Sequence, residues 1–197
     1  YGLAADDITV YGSAAINAAS GKASEFSVGL FVKGTALITE NAKVNTKSGE
    51  ATLSCGVFGS DNTSNEFIVS GNAVFNAESS KATANSIAFF APASVTVTNN
   101  AKITAKAGES ETISVGFASA DAKINSPATV EASGLFSAFY SNQDLDILGY
   151  TDPYIIVSKD TNPENATAWD GTSSLVSIET SYPDDISFSE YKYVLIA

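Results

Sequence analysis

Thr98-Asn99-Asn100-Ala101-Lys102-Ile103-Thr104-Ala105-Lys106-Ala107-Gly108 decides the fold, because its centre recurs along the chain. Asn100 to Ala105 is matched by Ser13-Ala14-Ala15-Ile16-Asn17-Ala18, by Asn41-Ala42-Lys43-Val44-Asn45-Thr46 and by Asn72-Ala73-Val74-Phe75-Asn76-Ala77. Pro127-Ala128-Thr129-Val130-Glu131-Ala132 is a fifth copy, and successive copies start 28, 31, 28 and 27 residues apart. A fixed period of this size is the mark of a repeat architecture.

Two further elements keep step with it. Upstream of the copies lie Ile8-Thr9-Val10, Leu37-Ile38-Thr39, Phe67-Ile68-Val69, Val95-Thr96-Val97 and Ala122-Lys123-Ile124. Downstream lie Val28-Gly29-Leu30-Phe31, Cys55-Gly56-Val57-Phe58, Ile87-Ala88-Phe89-Phe90, Val115-Gly116-Phe117-Ala118 and Ser137-Ala138-Phe139-Tyr140. Each element is short, alternates with period two and is rich in β-branched or aromatic residues, which predicts a strand. Three strands per period predict an all-β fold: a parallel β-helix (β-solenoid) of about five to six coils. Its hand is expected to be right by the precedent of related solenoids.

Stacking the copies predicts continuous columns. Ile16, Val44, Phe75, Ile103 and Val130 should form one buried ladder, and Val10, Ile38, Val69, Val97 and Ile124 another. Leu30, Val57, Phe89, Phe117 and Phe139 form a third, with Val28, Cys55, Ile87 and Val115 expected inside it two residues earlier. Cys55 then reads as a small buried hydrophobe. Asn41, Asn72 and Asn100 share a turn position and predict an amide ladder tolerant of a left-handed backbone. Loop length is expected to vary between the second and third strands.

After residue 141 the repeat fades. Leu145-Asp146-Ile147 reads as the first strand of a sixth coil, and residues 142–197 hold ten acidic side chains and two lysines out of a net charge of −12. Tyr154–Val157, Leu175–Ile178 and Tyr191–Ile196 read as strands. Residues 1–141 are therefore assigned to the solenoid and 142–197 to its last coil and an acidic β cap over an otherwise open end.

Composition excludes several chemistries. The chain has no histidine, arginine or methionine, and its ten basic residues are all lysine. Ser-His-Asp and Cys-His catalysis and histidine zinc sites are thereby removed. Binding of nucleic acid backbones is disfavoured by the charge. One cysteine forms no internal disulfide, and no apolar run approaches the roughly 20 residues of a membrane helix. A chain that opens on Tyr1 without a methionine is expected to be a trimmed piece, with any export signal or anchor outside it.

The run Thr98–Gly108 followed by Val115-Gly116-Phe117, with Ala168-Trp169-Asp170-Gly171-Thr172 and Tyr191-Lys192-Tyr193-Val194 near the end, resembles secreted β-helix surface proteins of gut Gram-positive bacteria. These are described as adhesin-like or carbohydrate-binding. A related β-helix family is similar to pectate lyases and binds calcium and acidic polysaccharide. The resemblance implies an extracellular, secreted or surface-attached protein with a polysaccharide or a surface protein as partner. It supplies no catalytic residues.

The leading expectation is a non-catalytic adhesion module. With Leu30 and its equivalents inward, Phe31, Phe58, Phe90 and Tyr140 project outward, interrupted by Ala118, as a strip suited to stacking on sugar rings or a partner protein. A polysaccharide lyase or hydrolase is an alternative, with Asp144 and Asp146 on one strand face and Asp184-Asp185 adjacent in sequence as its carboxylates. A structural calcium ion in the cap, with Asp144 and Asp146 as oxygen ligands, is left open. A passive stalk is the third reading. The Asn-X-Ser/Thr triplets at Asn62 and Asn165 are taken as coincidental.

Overall fold

The computed structural model describes residues 1–60, 65–141, 145–151, 155–170 and 191–197, with the backbone alone for 177–179 and 186–187. The chain is a β-solenoid of about five coils, with parallel pairing from each coil to the next. Alternation makes the strands: Lys43–Lys47 is exposed at Lys43, Asn45 and Lys47 and buried at Val44 and Thr46. Stacking coil on coil satisfies the backbone groups of each strand, so the period-two pattern is repeated at the same place in every turn.

The predicted columns are in register. Ile16, Val44, Phe75, Ile103 and Val130 pair in sequence through the second sheet. Val10, Ile38, Val69, Val97 and Ile124 do so on the first, and Ile147 extends that column into a sixth coil. Leu30, Val57, Phe89, Phe117 and Phe139 align on the third. Phe89 sits at the meeting point. Its ring stacks on Phe117 at 5.2 Å and takes Phe67 and Phe75 edge-on at 5.1 and 5.3 Å.

The third strand departs from simple alternation. Ala88 and Phe89 both belong to the continuous core, as do Ala138 and Phe139. A Cβ added at Gly29, Gly56 or Gly116 would lie within 2.6–2.8 Å of backbone atoms, among them those of Lys47, Glu78 and Ser133 in the second sheet. The strand therefore bends at this column and turns two successive residues inward, the first of them glycine or alanine because the second sheet lies against it. Strand pairing skips the same column in every coil. Val28, Cys55 and Val115 are buried as expected, although they stand outside the continuous core cluster.

Corners are held by small polar side chains. Between the second and third strands, the hydroxyls of Ser20 and Ser27, Ser48 and Ser54, and Ser79 and Ser86 pair at 2.7–2.8 Å. Ser27, Ser54 and Ser86 also donate to the carbonyls of Gly21, Gly49 and Ser80. The next coil completes the set, with the amides of Gly49 and Ser80 donating to Ser27 and Ser54. At the opposite corner Asn100 donates to Asn72 at 3.0 Å and Asn72 to Asn41 at 3.1 Å, the expected amide ladder. The left-handed residues are those just before: Gly12, Glu40, Gly71 and Asn99, with φ between 61° and 71°. Loop insertion also occurs at an unforeseen edge. Two residues separate Val32 from Thr35, whereas six separate their partners Gly59 and Glu66. Buried Asn65, just before Glu66–Val69, donates to the carbonyls of Val32 and Gly34 in the preceding coil at 3.1 and 2.9 Å.

Beyond Ser141, Leu145–Leu148 continues the parallel stack. On the second sheet the pairing turns antiparallel, with Tyr193–Ile196 between Thr129–Ser133 and Ile155–Ser158. Ser177–Glu179 adds to the third-strand sheet beside Ser137–Ser141. Among the described residues no helix is long and apolar enough to cross a membrane.

Two expectations follow. Phe89→Ala removes the ring shared by three aromatic contacts and is expected to lower unfolding stability by about 3–5 kcal/mol in urea titration. Gly71→Ala is expected to cost more than Gly12→Ala although both residues have left-handed φ, since only at Gly71 would the new Cβ meet backbone, that of Glu40 at 2.7 Å. Comparison of the two denaturation midpoints checks the order.

Candidate functional site

Two outer faces differ sharply in chemistry. On the third strands, the bend leaves two kinds of outward column. Phe31, Phe58 and Phe90 are half-buried and stack along the solenoid, with ring centroids 6.1 and 5.1 Å apart, and Tyr1 joins at 5.1 Å from Phe31. None of these rings packs against the core. Ala118 follows in register and then Tyr140, so the expected strip exists for three rings and is broken before the fourth. The second column, Phe26, Leu53, Asn85 and Ile113, runs beside it, and Phe26 is 60% exposed. Val28, Cys55 and Val115 lie between the two columns, 3%, 0% and 3% exposed. The polar groups of these columns are the amide of Asn85 and the phenol hydroxyls of Tyr1 and Tyr140, and none of the side chains is charged.

The outer face of the second sheet is the opposite. Asn17, Asn45, Asn76, Thr104 and Glu131 form its central column. Asn76 donates to Asn45 and Asn45 to Asn17, both at 2.8 Å, a second amide ladder. On one side the register places Ala19, Lys47, Glu78, Lys106 and Ser133, and on the other Ala15, Lys43, Val74, Lys102 and Thr129. Four of the ten lysines of an acidic chain thus share one sheet face. Lys47 pairs with Glu78 at 3.3 Å and Lys102 with Glu131 at 3.6 Å. Among the described residues Lys43 and Lys106 have no ion-pair partner within 4.0 Å. A groove of about 350 Å³ runs along this face, lined by Asn17, Asn45, Asn76, Thr104, Lys47 and Lys106 among others.

This groove was missed in the sequence, although the signal was present. The residues that follow the first three members of the buried ladder, Asn17, Asn45 and Asn76, repeat the same side chain at the same position. Glu131 follows Thr104 in the column, outside the groove, and accepts a hydrogen bond from the Tyr193 hydroxyl at 3.4 Å. Burial, then the carboxylate, pushes the Tyr193 phenol up to about 12.

The acidic candidates are placed as follows. Asp144, Asp184, Asp185 and Asn62 lie outside the described residues. Asp146 is exposed on Leu145–Leu148 and stands opposite Lys123 in register, beside a cation rather than a second carboxylate. Among the described residues no three acidic or cysteine side chains gather as a metal site. Asp160 is held below the usual carboxylate range by hydrogen bonds, first from the Asn165 side chain and then from the Asn162 amide. It serves its own loop.

No family model, curated protein or solved structure matches the chain.

Burial pushes the Cys55 thiol up from 9.0 to about 12. Raised values favour the protonated forms in the fold, so the stability they contribute is complete below about pH 9 and is lost as pH rises toward 12. Stability is therefore expected to fall across that range for the intact chain, and Cys55→Ala should flatten part of the slope in denaturant titrations at stepped pH. At pH 8, Cys55 should resist a thiol reagent until the chain is unfolded.

Proposed function

We propose that this chain is a non-catalytic adhesion module, working outside the cell, that binds an extended polysaccharide along the outer face of its second sheet. The observation that carries the reading is the groove over the Asn17–Asn45–Asn76 ladder, lined on one flank by Lys47 and Lys106. Amides offer paired donor and acceptor positions to sugar hydroxyls, and their spacing along the solenoid, about 4.8 Å per coil, is that of a ladder a chain can follow. Lys47 and Lys106 in the lining give the groove local positive charge, which suits acidic groups on the polymer. The non-catalytic part rests on the lining: its one carboxylate, Glu78, is engaged by Lys47. The resemblance to surface β-helix proteins points the same way.

Affinity electrophoresis of the full chain through neutral and acidic polysaccharides tests this. Retardation by an acidic polymer, weakened about tenfold by Lys47→Gln with Lys106→Gln and reduced by salt, is the expected result. Unchanged retardation in the double variant, or cleavage of the polymer, overturns the reading.

A further inference from the structure

The groove over the amide ladder has a neighbour. Lys106, which lines it, also lines a second cavity of about 410 Å³ on the side of the cap. Two parts of the fold build that cavity: the solenoid supplies Glu109, Glu131 and Leu135, and the cap supplies Thr161, Pro163 and Tyr193. Tyr193 reaches it because the closing strand sets Tyr193 opposite Ser133. The wall at Thr161 and Pro163 is held in shape by Asp160, which accepts hydrogen bonds from the Asn162 amide and the Asn165 side chain, both at 2.8 Å.

The lining combines three chemistries. Its cation is Lys106, which has no ion-pair partner within 4.0 Å among the described residues. Its carboxylates are Glu109, 3.6 Å from Lys81, and Glu131, 3.6 Å from Lys102 and bonded to the Tyr193 hydroxyl. Each carboxylate has further lone pairs to offer. Its apolar part is Pro163 and Leu135, the latter 39% exposed. An anionic substituent would face both carboxylates, and an ammonium group would face Lys106. A bare hydroxyl would leave the apolar side unused. An acetamido group meets all three demands: its N–H donates to a carboxylate, its carbonyl accepts from the lysine and its methyl covers the apolar wall.

We propose that this cavity takes the acetamido group of an N-acetylated amino sugar, and that the polymer in the groove therefore combines acidic sugars with N-acetylated ones. The inference rests on the glycan reading of the groove and names its substrate class. Lys47, Glu78 and Lys106 follow one another in successive coils, so the two lysines stand about 10 Å apart. A polymer that spans them arrives at the mouth of the cavity. The groove then selects for charge and the cavity for the acetamido group.

Affinity electrophoresis of the full chain against two probes tests the proposal. Hyaluronan alternates a carboxylate sugar with an acetamido sugar, whereas polygalacturonate carries a carboxylate on every sugar and no acetamido group. Charge density alone ranks polygalacturonate first. The expected result is the reverse, with hyaluronan retarding the chain at roughly a tenth of the concentration. Leu135→Ser, at an exposed position, should weaken retardation by hyaluronan about fivefold and leave that by polygalacturonate unchanged. Hyaluronan no better than polygalacturonate overturns the proposal; if Lys47→Gln with Lys106→Gln still weakens retardation by polygalacturonate, the groove reading stands without it. A Leu135→Ser effect that is equal on both polymers, or absent from both, overturns it as well. Retardation by neither polymer overturns the groove reading and this inference together.

Discussion

Register is the constraint from which the remaining features descend. Each strand must pass its backbone hydrogen bonds to the strand above it, so residue 44 has to sit over residue 16 and under residue 75, and a slip by one would turn a whole ladder of Val, Phe and Ile outward. Nothing comparable fixes the corners. There the chain uses side chains to stand in for strand pairing: serine hydroxyls on one corner, stacked amides on another, and Asn65 ahead of Glu66–Val69. The rule is strict on the strands and permissive at the turns, and this explains how coils of 27 to 31 residues share one core.

The same rule turns each outer position into a column, and a column has a chemistry. On the second sheet the outward positions are amide, lysine and threonine, and the face is open to water. On the third strands the bend changes the count. Because Gly29, Gly56 and Gly116 yield their inward space to the second sheet, the following residue also turns inward, while Val28, Cys55 and Val115 are buried apart from the continuous core.

Much of this was legible from residues alone. The three buried ladders, the Asn41–Asn72–Asn100 amides and the sixth first strand at Leu145 all came from aligning repeats, because period two and fixed register leave little choice. The bend was not, although its trace was visible: Gly29, Gly56, Ala88, Gly116 and Ala138 are small at one position in every copy. Period-two alternation passes over such a signal, since it assumes a straight strand. The candidate site was half legible. Phe31, Phe58 and Phe90 do stack, but exposure and the absence of polar neighbours are properties of a surface, and only assembled columns reveal them. The left-handed residues were misplaced by one position, because Asn99 and Asn100 are chemically equal and the turn alone distinguishes them.

The coil-to-coil hydrogen bonds run along the solenoid axis, and each coil touches only its neighbours. Tension applied between the two ends therefore loads one interface after another. Each coil that peels away gives up about 28 residues of chain, close to 95 Å of contour at full extension. A molecule of this design, pulled from its two ends, lengthens in steps under load. It is a spring with counted turns.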